Sequence, residues 1–258
     1  VALTSADGVE LDAVLHTPAG RERRGCVVQA HGITADLNEG GMYVRLAENL
    51  ADSGFTVLRF SFRGHGNSQG SQSGVTIAGE MLDLQIAVEA LLREHEGPLS
   101  IVAASFGAVP VALSLPHLSQ QLETLVLWNP VLNLHRTFVE PELPWGLKNF
   151  GPQQQEQLHR QGFLLIDGEF RLGWVLFEEI KRYRPDRAFV TSHTPALVIH
   201  GDRDSYVSYE IAKEAAAAQG RCDFHTVQGS DHGFDSPERE KEAVRETVDW
   251  LIRHALRP

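Results

Sequence analysis

The chain has 258 residues, 42% hydrophobic and 22% charged, with 2 cysteines, which excludes disordered, collagen-like and disulfide-framework classes and leaves one large domain or two small ones with a sizeable core. Lys plus Arg number 23 against 34 Asp plus Glu, a formal charge of −11. An acidic chain without a basic stripe is a poor partner for nucleic acid or an anionic membrane, where Lys and Arg neutralise phosphate.

Val1–Thr4 and Val9–Leu15 read as an opening hairpin across an Ala-Asp-Gly turn. Gly25–Ala30 is an apolar run of buried-strand length, and it leads into His31-Gly32-Ile33. Met42–Ser53 reads as a helix and Phe55–Phe62 as a strand. A literal G-x-S-x-G follows at Gly66-Asn67-Ser68-Gln69-Gly70. It runs on into further Gly and Ser, so no helix begins at Ser68, and the motif reads as a loop. In Ile77–Glu94 the residues Ile77, Met81, Leu84, Val88, Leu91 and Leu92 recur at three- and four-residue steps, one helical face. Leu99–Ala104 then leads straight into Ser105, and Phe106–Leu115 reads as a buried helix with Pro110 early enough to be tolerated. Leu122–Trp128 is another strand.

The rhythm breaks between Pro130 and Thr194, roughly twice the length that one crossover helix requires. Within it, Gly162–Gly173 reads as a hairpin turning at Asp167-Gly168, and Trp174–Tyr183 as a helix. Trp145, Phe150, Phe163, Phe170, Trp174 and Phe177 make it rich in aromatic residues. Two readings stand: an elaboration packing on itself, or a cap over a pocket, since ligands bind beyond the carboxyl ends of such strands. Ala196–His200 (strand), Ser208–Ala218 (helix), a strand leaving a loop in Val227–Phe234, and Pro237–Leu256 (helix, begun by Asp-Ser-Pro) complete the chain. The alternation predicts an α/β fold: an open, mostly parallel twisted sheet with helices on both faces, its core formed by residues 1–130 and 194–258 and a small cap by 131–193. No apolar run approaches the roughly 20 residues needed to span a bilayer. No stretch reads as a signal peptide, and opening at Val1 leaves the true start open. Cys26 lies in an apolar run and Cys222 in a polar one, so no bridge and a reducing, cytoplasmic setting are expected.

A serine hydroxyl needs a base to take its proton and a third group to hold that base. Ser105 sits at a strand-to-helix turn within Ala103-Ala104-Ser105-Phe106-Gly107, where Ala103 takes the place of the usual first glycine of the nucleophile elbow. Downstream, Leu197–Asp204 is a strand running into an acid-bearing loop, and His232 lies on the loop before the last helix. The order Ser105, Asp204, His232 places all three just past strand ends, with Asp202 the local alternative acid. The backbone N–H groups of Ile33 and Phe106 would supply an oxyanion hole. His31 is expected to stabilise its loop by hydrogen bonding. The dispersed His31, His65, His200 and His232 lack a ligand pattern such as H-E-x-x-H, so no metal is expected. No phosphate-binding glycine motif opens a helix, so no cofactor is expected.

Over essentially its whole length the chain resembles the α/β-hydrolase superfamily. The matching pieces are His31-Gly32, Phe60–Gly70, the Ser105 turn, His200-Gly-Asp-Arg-Asp204 with Val207, and Asp231-His232. The insertion with its hairpin at Gly162–Gly173 is similar to that of bacterial feruloyl/cinnamoyl-type carboxylesterases. The resemblance implies Asp204 as the acid, and Ser rather than Asp as nucleophile speaks against dehalogenase or epoxide-hydrolase chemistry. The expected function is a serine hydrolase that cleaves a carboxylic ester, of an aromatic or medium-size acyl group, through an acyl-enzyme. Ser105 would be nucleophile, His232 base and Asp204 its partner, with Trp145, Phe150, Phe163 and Trp174 as candidate substrate contacts. A thioesterase or acyltransferase with the same residues, or a silent hydrolase fold that binds a ligand or protein, are the alternatives. The expected partner is a small-molecule ester or thioester, with neither nucleic acid nor membrane; the oligomeric state is left open, a homodimer being allowed.

Overall fold

The computed structural model describes residues 2–20 and 23–255; Val1 and Leu256, read above as ends of the first strand and last helix, lie outside the described residues. The opening hairpin is β1 (Ala2–Thr4) antiparallel to β2 (Glu10–His16). Then come β3 (Gly25–Ala30), α1 (Met42–Asp52), β4 (Phe55–Phe60), α2 (Ile77–Glu94), β5 (Leu99–Ala104), α3 (Ala108–Leu118) and β6 (Leu122–Trp128). The long intervening segment holds α4 (Pro144–Phe150), α5 (Pro152–Gln161), the hairpin β7 (Phe163–Ile166) and β8 (Phe170–Gly173), α6 (Trp174–Ile180) and α7 (Pro185–Thr191). The chain closes with β9 (Ala196–Gly201), α8 (Tyr209–Gln219), β10 (Cys222–Val227) and α9 (Pro237–Ala255).

The main sheet runs β1-β2-β4-β3-β5-β6-β9-β10. It is antiparallel at β1/β2 and β2/β4 and parallel from β4 to β10. Its central strands are buried on both faces because alternate side chains feed two cores. Ile101 and Ala103 of β5 face a cluster with Leu84, Val88, Val111 and Ala212, while Val102 and Ala104 face one with Tyr43, Leu46, Trp250 and Leu251. This explains why these strands read as continuous apolar runs rather than as an alternation.

Registers bring the carboxyl ends of the parallel strands together. Ala30 pairs with Ala103, Ala104 with Trp128, Trp128 with Ile199, and Gly201 with Val227. The loops after β3, β5, β9 and β10 therefore leave one edge of the sheet, where ligands of open α/β sheets bind.

Three departures from the sequence reading have local causes. α3 runs to Leu118, past Pro116, because proline in a last turn forfeits a single intrahelical hydrogen bond at a fraying end. β10 begins at Cys222 and ends at Val227; it is an outer strand with only Val227 fully buried, so no apolar run announces it. α4, α5 and α7 each start on a proline and were not legible as helices. They are held by tertiary packing, since short helices are marginal alone.

The segment 131–193 shares its core with the sheet's loops. Phe138, Trp145, Phe150, Leu164, Leu172 and Phe177 cluster with Ile33, Val75, Ile77, Phe106 and Val109. It is also pinned by polar contacts: Arg171 N–H donates to Gln72 Oε1 at 2.9 Å and Ile77 N–H to Glu179 Oε2 at 2.5 Å. Gly173 passes so near the loop before α2 that a Cβ there would sit 2.0 Å from Ser73 O, so this crossing requires glycine. Among the described residues no helix is long and apolar enough to cross a membrane.

Candidate active site

β5 turns sharply into α3 at Ser105, whose φ of 51° is left-handed, a strained setting for a side-chain-bearing residue. The bend requires Gly107, where a Cβ would lie 2.4 Å from Ala30 O and 2.5 Å from His31 O. Ala103 sits inside β5, in the ladder between Ala30 and Leu127. Extended backbone there has no need of glycine, which accounts for the alanine.

Ser105 Oγ lies 3.1 Å from His232 Nε2, and His232 Nδ1 lies 2.8 Å from Asp204 Oδ2. The tautomer follows from these partners: Nδ1–H donates to the carboxylate and Nε2 is left to face the hydroxyl. Asp204 is buried, and its Oδ1 accepts the N–H groups of Tyr206 and Val207, both at 2.8 Å. Its Oδ2 also lies 3.2 Å from Nε2 of the fully buried His200. Asp202 is exposed and turned away, accepting Gly229 N–H at 2.5 Å. The loops that carry Asp204 and His232 are tied by Asp231, whose Oδ1 accepts the backbone N–H of Ser205 and of His232, each at 2.7 Å.

Burial disfavours charge on Asp204, but the facing His232 and the hydrogen bond from His200 outweigh it and hold the carboxyl well below the usual range. Burial likewise opposes a charged His232, yet the Asp204 carboxylate raises its pKa above the ordinary histidine value. The pair is thus poised to hold a proton on the imidazole when one arrives.

The turn after β3 abuts the serine: a Cβ on Gly32 would lie 3.2 Å from Ser105 Cβ. His31 Nδ1–H donates to Gly32 O at 2.8 Å, and its Nε2 accepts Phe62 N–H at 2.9 Å. Both ring nitrogens being used, His31 is a neutral staple between two loops. His65 lies 2.8 Å from Ile33 O through Nε2. Phe106 is in the first turn of the helical stretch that begins at Ser105, where backbone N–H groups have no intrahelical acceptor. Ser68 lies elsewhere: its hydroxyl donates to Ser61 O at 2.7 Å and accepts Asp12 N–H at 2.9 Å.

A cavity of about 90 Å³ opens on Ser105 and His232, walled by Ile33, Glu39, Val131, Phe138, Trp145 and Tyr206 among others. A neighbouring cavity of about 480 Å³ shares Thr34 and Ala35 with it and reaches His65, Gln72 and Phe170. Of the four aromatic residues singled out in the sequence, Trp145 lines the cavity that opens on Ser105 and His232. Phe150 is fully buried behind Phe138 and Trp145, with ring centroids 4.9 and 5.6 Å away. Phe163 packs under the Arg171 guanidinium, and Trp174 is a surface residue beside His159 and Lys181. Sequence reasoning missed Tyr206, whose ring stacks on His232 at 4.7 Å and 5°, with Trp145 stacked on its other side at 5.0 Å and 13°. It also missed Asp167 at the hairpin turn, which accepts Trp145 Nε1–H at 2.7 Å. The hairpin signal located Asp167, but nothing in the sequence said that the turn lines the same cavity as His232. Among the described residues no group of three or more His, Cys, Asp or Glu side chains could hold a metal ion.

Residues 21–161 match the family described as serine aminopeptidase, S33. An uncharacterized protein of Rickettsia prowazekii (strain Madrid E) is 26% identical over 229 residues, 84% of this chain and 74% of that one. Est1E from Butyrivibrio proteoclasticus, solved with ferulic acid bound, superposes with a TM-score of 0.84 at 21% identity, 100% of each chain being covered. An esterase from Pyrococcus furiosus superposes with a TM-score of 0.74 at 21% identity, covering 98% of this chain and 90% of that one. At such identities the structural likenesses establish the fold.

Proposed function

Because the chain belongs to the serine aminopeptidase, S33, family of α/β hydrolases, we propose that it cleaves carboxylic esters through an acyl-enzyme on Ser105. The observation that carries this reading is the unbroken run of contacts from Ser105 Oγ through His232 to Asp204, 3.1 and 2.8 Å long. Ser105 Oγ attacks the acyl carbonyl as His232 Nε2 takes its proton, and Asp204 stabilises the imidazolium. The amides of Ile33 and Phe106 bind the oxyanion. His232 then protonates the leaving alcohol and activates the water that releases the acyl group. The esterase likenesses favour an ester over an amide as substrate. Labelling by a fluorophosphonate, followed by turnover of matched ester, thioester and aminoacyl-amide substrates, tests the proposal. Absence of label, or amide turnover exceeding ester turnover, would overturn it.

Residues 131–193 serve in this reading as a cap that reads the substrate. The cavity about Ser105 is small beside its neighbour, about 90 against 480 Å³, so a larger acyl group extends past Trp145 or along Thr34 and Ala35. Trp145→Ala is expected to change the kcat/KM ratio of aryl to acetyl esters by about 5- to 100-fold, the range of apolar pocket discrimination. Phe163→Ala and Trp174→Ala, outside the cavity, should leave that ratio within about twofold, as expected for residues without substrate contact. A ratio that moves equally in all three variants would refute a reading role for the cavity wall.

The raised pKa of His232 sets the acid limb. Its imidazole must be neutral to accept the serine proton, so kcat/KM should rise with pH through a midpoint above the ordinary histidine value of about 6.5. Asp204→Asn removes the charge that raises it and should move the midpoint of the residual activity downward. A pH profile of both proteins checks the sign.

A further inference from the structure

Two carboxyls wall the catalytic cavity, Asp167 and Glu39. Asp167 is accounted for by Trp145 Nε1, Lys148 Nζ at 2.9 Å and Asn149 Nδ2 at 3.2 Å. Glu39 forms no ion pair with Lys or Arg among the described residues. Its Oε2 instead accepts the N–H of Gly32 at 2.6 Å, a short bond to the turn that abuts Ser105. The backbone is bent to deliver this side chain: Glu39, Gly40 and Gly41 have φ of 46°, 61° and 93° in succession. An L-residue held in left-handed backbone at the lip of a reactive site is a mark of functional constraint.

From this geometry we propose that Glu39 is a positioning residue, a clamp on Gly32 N–H that holds the next amide, Ile33 N–H, toward Ser105. The role rests on the reading of Ile33 as an oxyanion donor. Gly32 O is held by His31 Nδ1–H and by Ala35 N–H at 3.2 Å, and Ile33 O by His65; Glu39 fixes the other side of Gly32, its N–H, so that the Ile33 N–H alone is left for a ligand. Without Glu39, Gly32 is held through its carbonyl alone and glycine has wide backbone freedom on the other side, and an oxyanion donor displaced by about 1 Å costs roughly 100-fold in rate.

The charged and titratable groups facing Glu39 are Asp36 on its own loop, Tyr43 from α1 and His232 from the base loop, with Asp204 and Asp231 beyond the imidazole. Burial raises the Glu39 pKa to about 7 against the pull of Gly32 N–H and His232. When ionised it favours the imidazolium form of His232.

Two conservative variants separate reach from charge. Glu39→Gln keeps a side-chain carbonyl that can accept Gly32 N–H but loses the charge. Glu39→Asp keeps the charge but is one methylene too short to reach. We expect kcat on a short activated ester to stay within about threefold of the parent for Glu39→Gln and to fall about 10- to 100-fold for Glu39→Asp, with KM within about twofold in both, as for lost transition-state positioning. The acid limb of the profile should shift to lower pH in the Gln variant only. Full activity in Glu39→Asp, or equal losses in the two, would overturn the clamp. Fluorophosphonate labelling keeps the ideas distinct. An unlabelled parent sinks the esterase reading and the clamp with it, whereas a labelled parent with a fully active Asp variant removes the clamp alone.

Discussion

Ser105→Ala is expected to lower kcat by about 10⁴- to 10⁶-fold on any ester the parent turns over, with the fold intact, as when the nucleophile of a triad is lost. Among the described residues the side chain makes one polar contact, to His232, and the left-handed turn is enforced by packing at Gly107 rather than by the hydroxyl. Substrate affinity should change little, because the cavity walls remain. The informative control is Ser68→Ala, which removes the serine of the literal G-x-S-x-G. Its hydroxyl joins β2 to the loop after β4 through Asp12 N–H and Ser61 O. Loss of that pair should cost about 1–3 kcal/mol of stability, while turnover per folded molecule stays within about tenfold of the parent, as for a residue outside the triad. Paired kinetics and thermal unfolding check both. Covalent probe mass on a peptide containing Ser68 would reverse the assignment.

Asp204→Asn should cost about 10⁴-fold in kcat, the consequence of presenting an N–H to His232 Nδ1 and so selecting the wrong tautomer. The backbone partners need not be lost, because Asn Oδ1 can still accept the N–H groups of Tyr206 and Val207. Asp202→Asn is the matched comparison, two residues away and equally acidic by sequence. It is exposed and bonded to Gly229 N–H, so a loss of no more than a few fold is expected, as for a surface substitution without catalytic contact. Equal losses in two folded variants would mean that Asp204 does not hold the base.

Much of the architecture was legible because strand burial and helix periodicity are properties of neighbouring residues. The mostly apolar runs of β3, β4, β5 and β9 suited two-sided strands by their length, and the stripe from Ile77 to Leu92 one face of a helix. Once a parallel sheet follows, loops after strand ends must share one edge, so Ser105, Asp204 and His232 could be placed there from their position in the chain alone. The choice between Ser68 and Ser105 was also local, since only one of them is preceded by a strand and followed by a helix.

Chain order determined which loops meet at the sheet edge; it was silent about which side chains touch across them. Asp202 and Asp204 differ by two residues in one loop, and only the turn after β9 decides that one faces His232 and the other Gly229. Trp145 faces the cavity while Trp174 faces solvent, though both are tryptophans on short helices of the same insertion. Glu39 on Gly32, and Tyr206 between Trp145 and His232, leave no periodic or motif signal. Such contacts join segments far apart in the chain, and they are selected by how three clusters of side chains pack together. Local pattern therefore determined the elements and their order, while the fit of distant side chains in a close-packed interior decided the walls of the site.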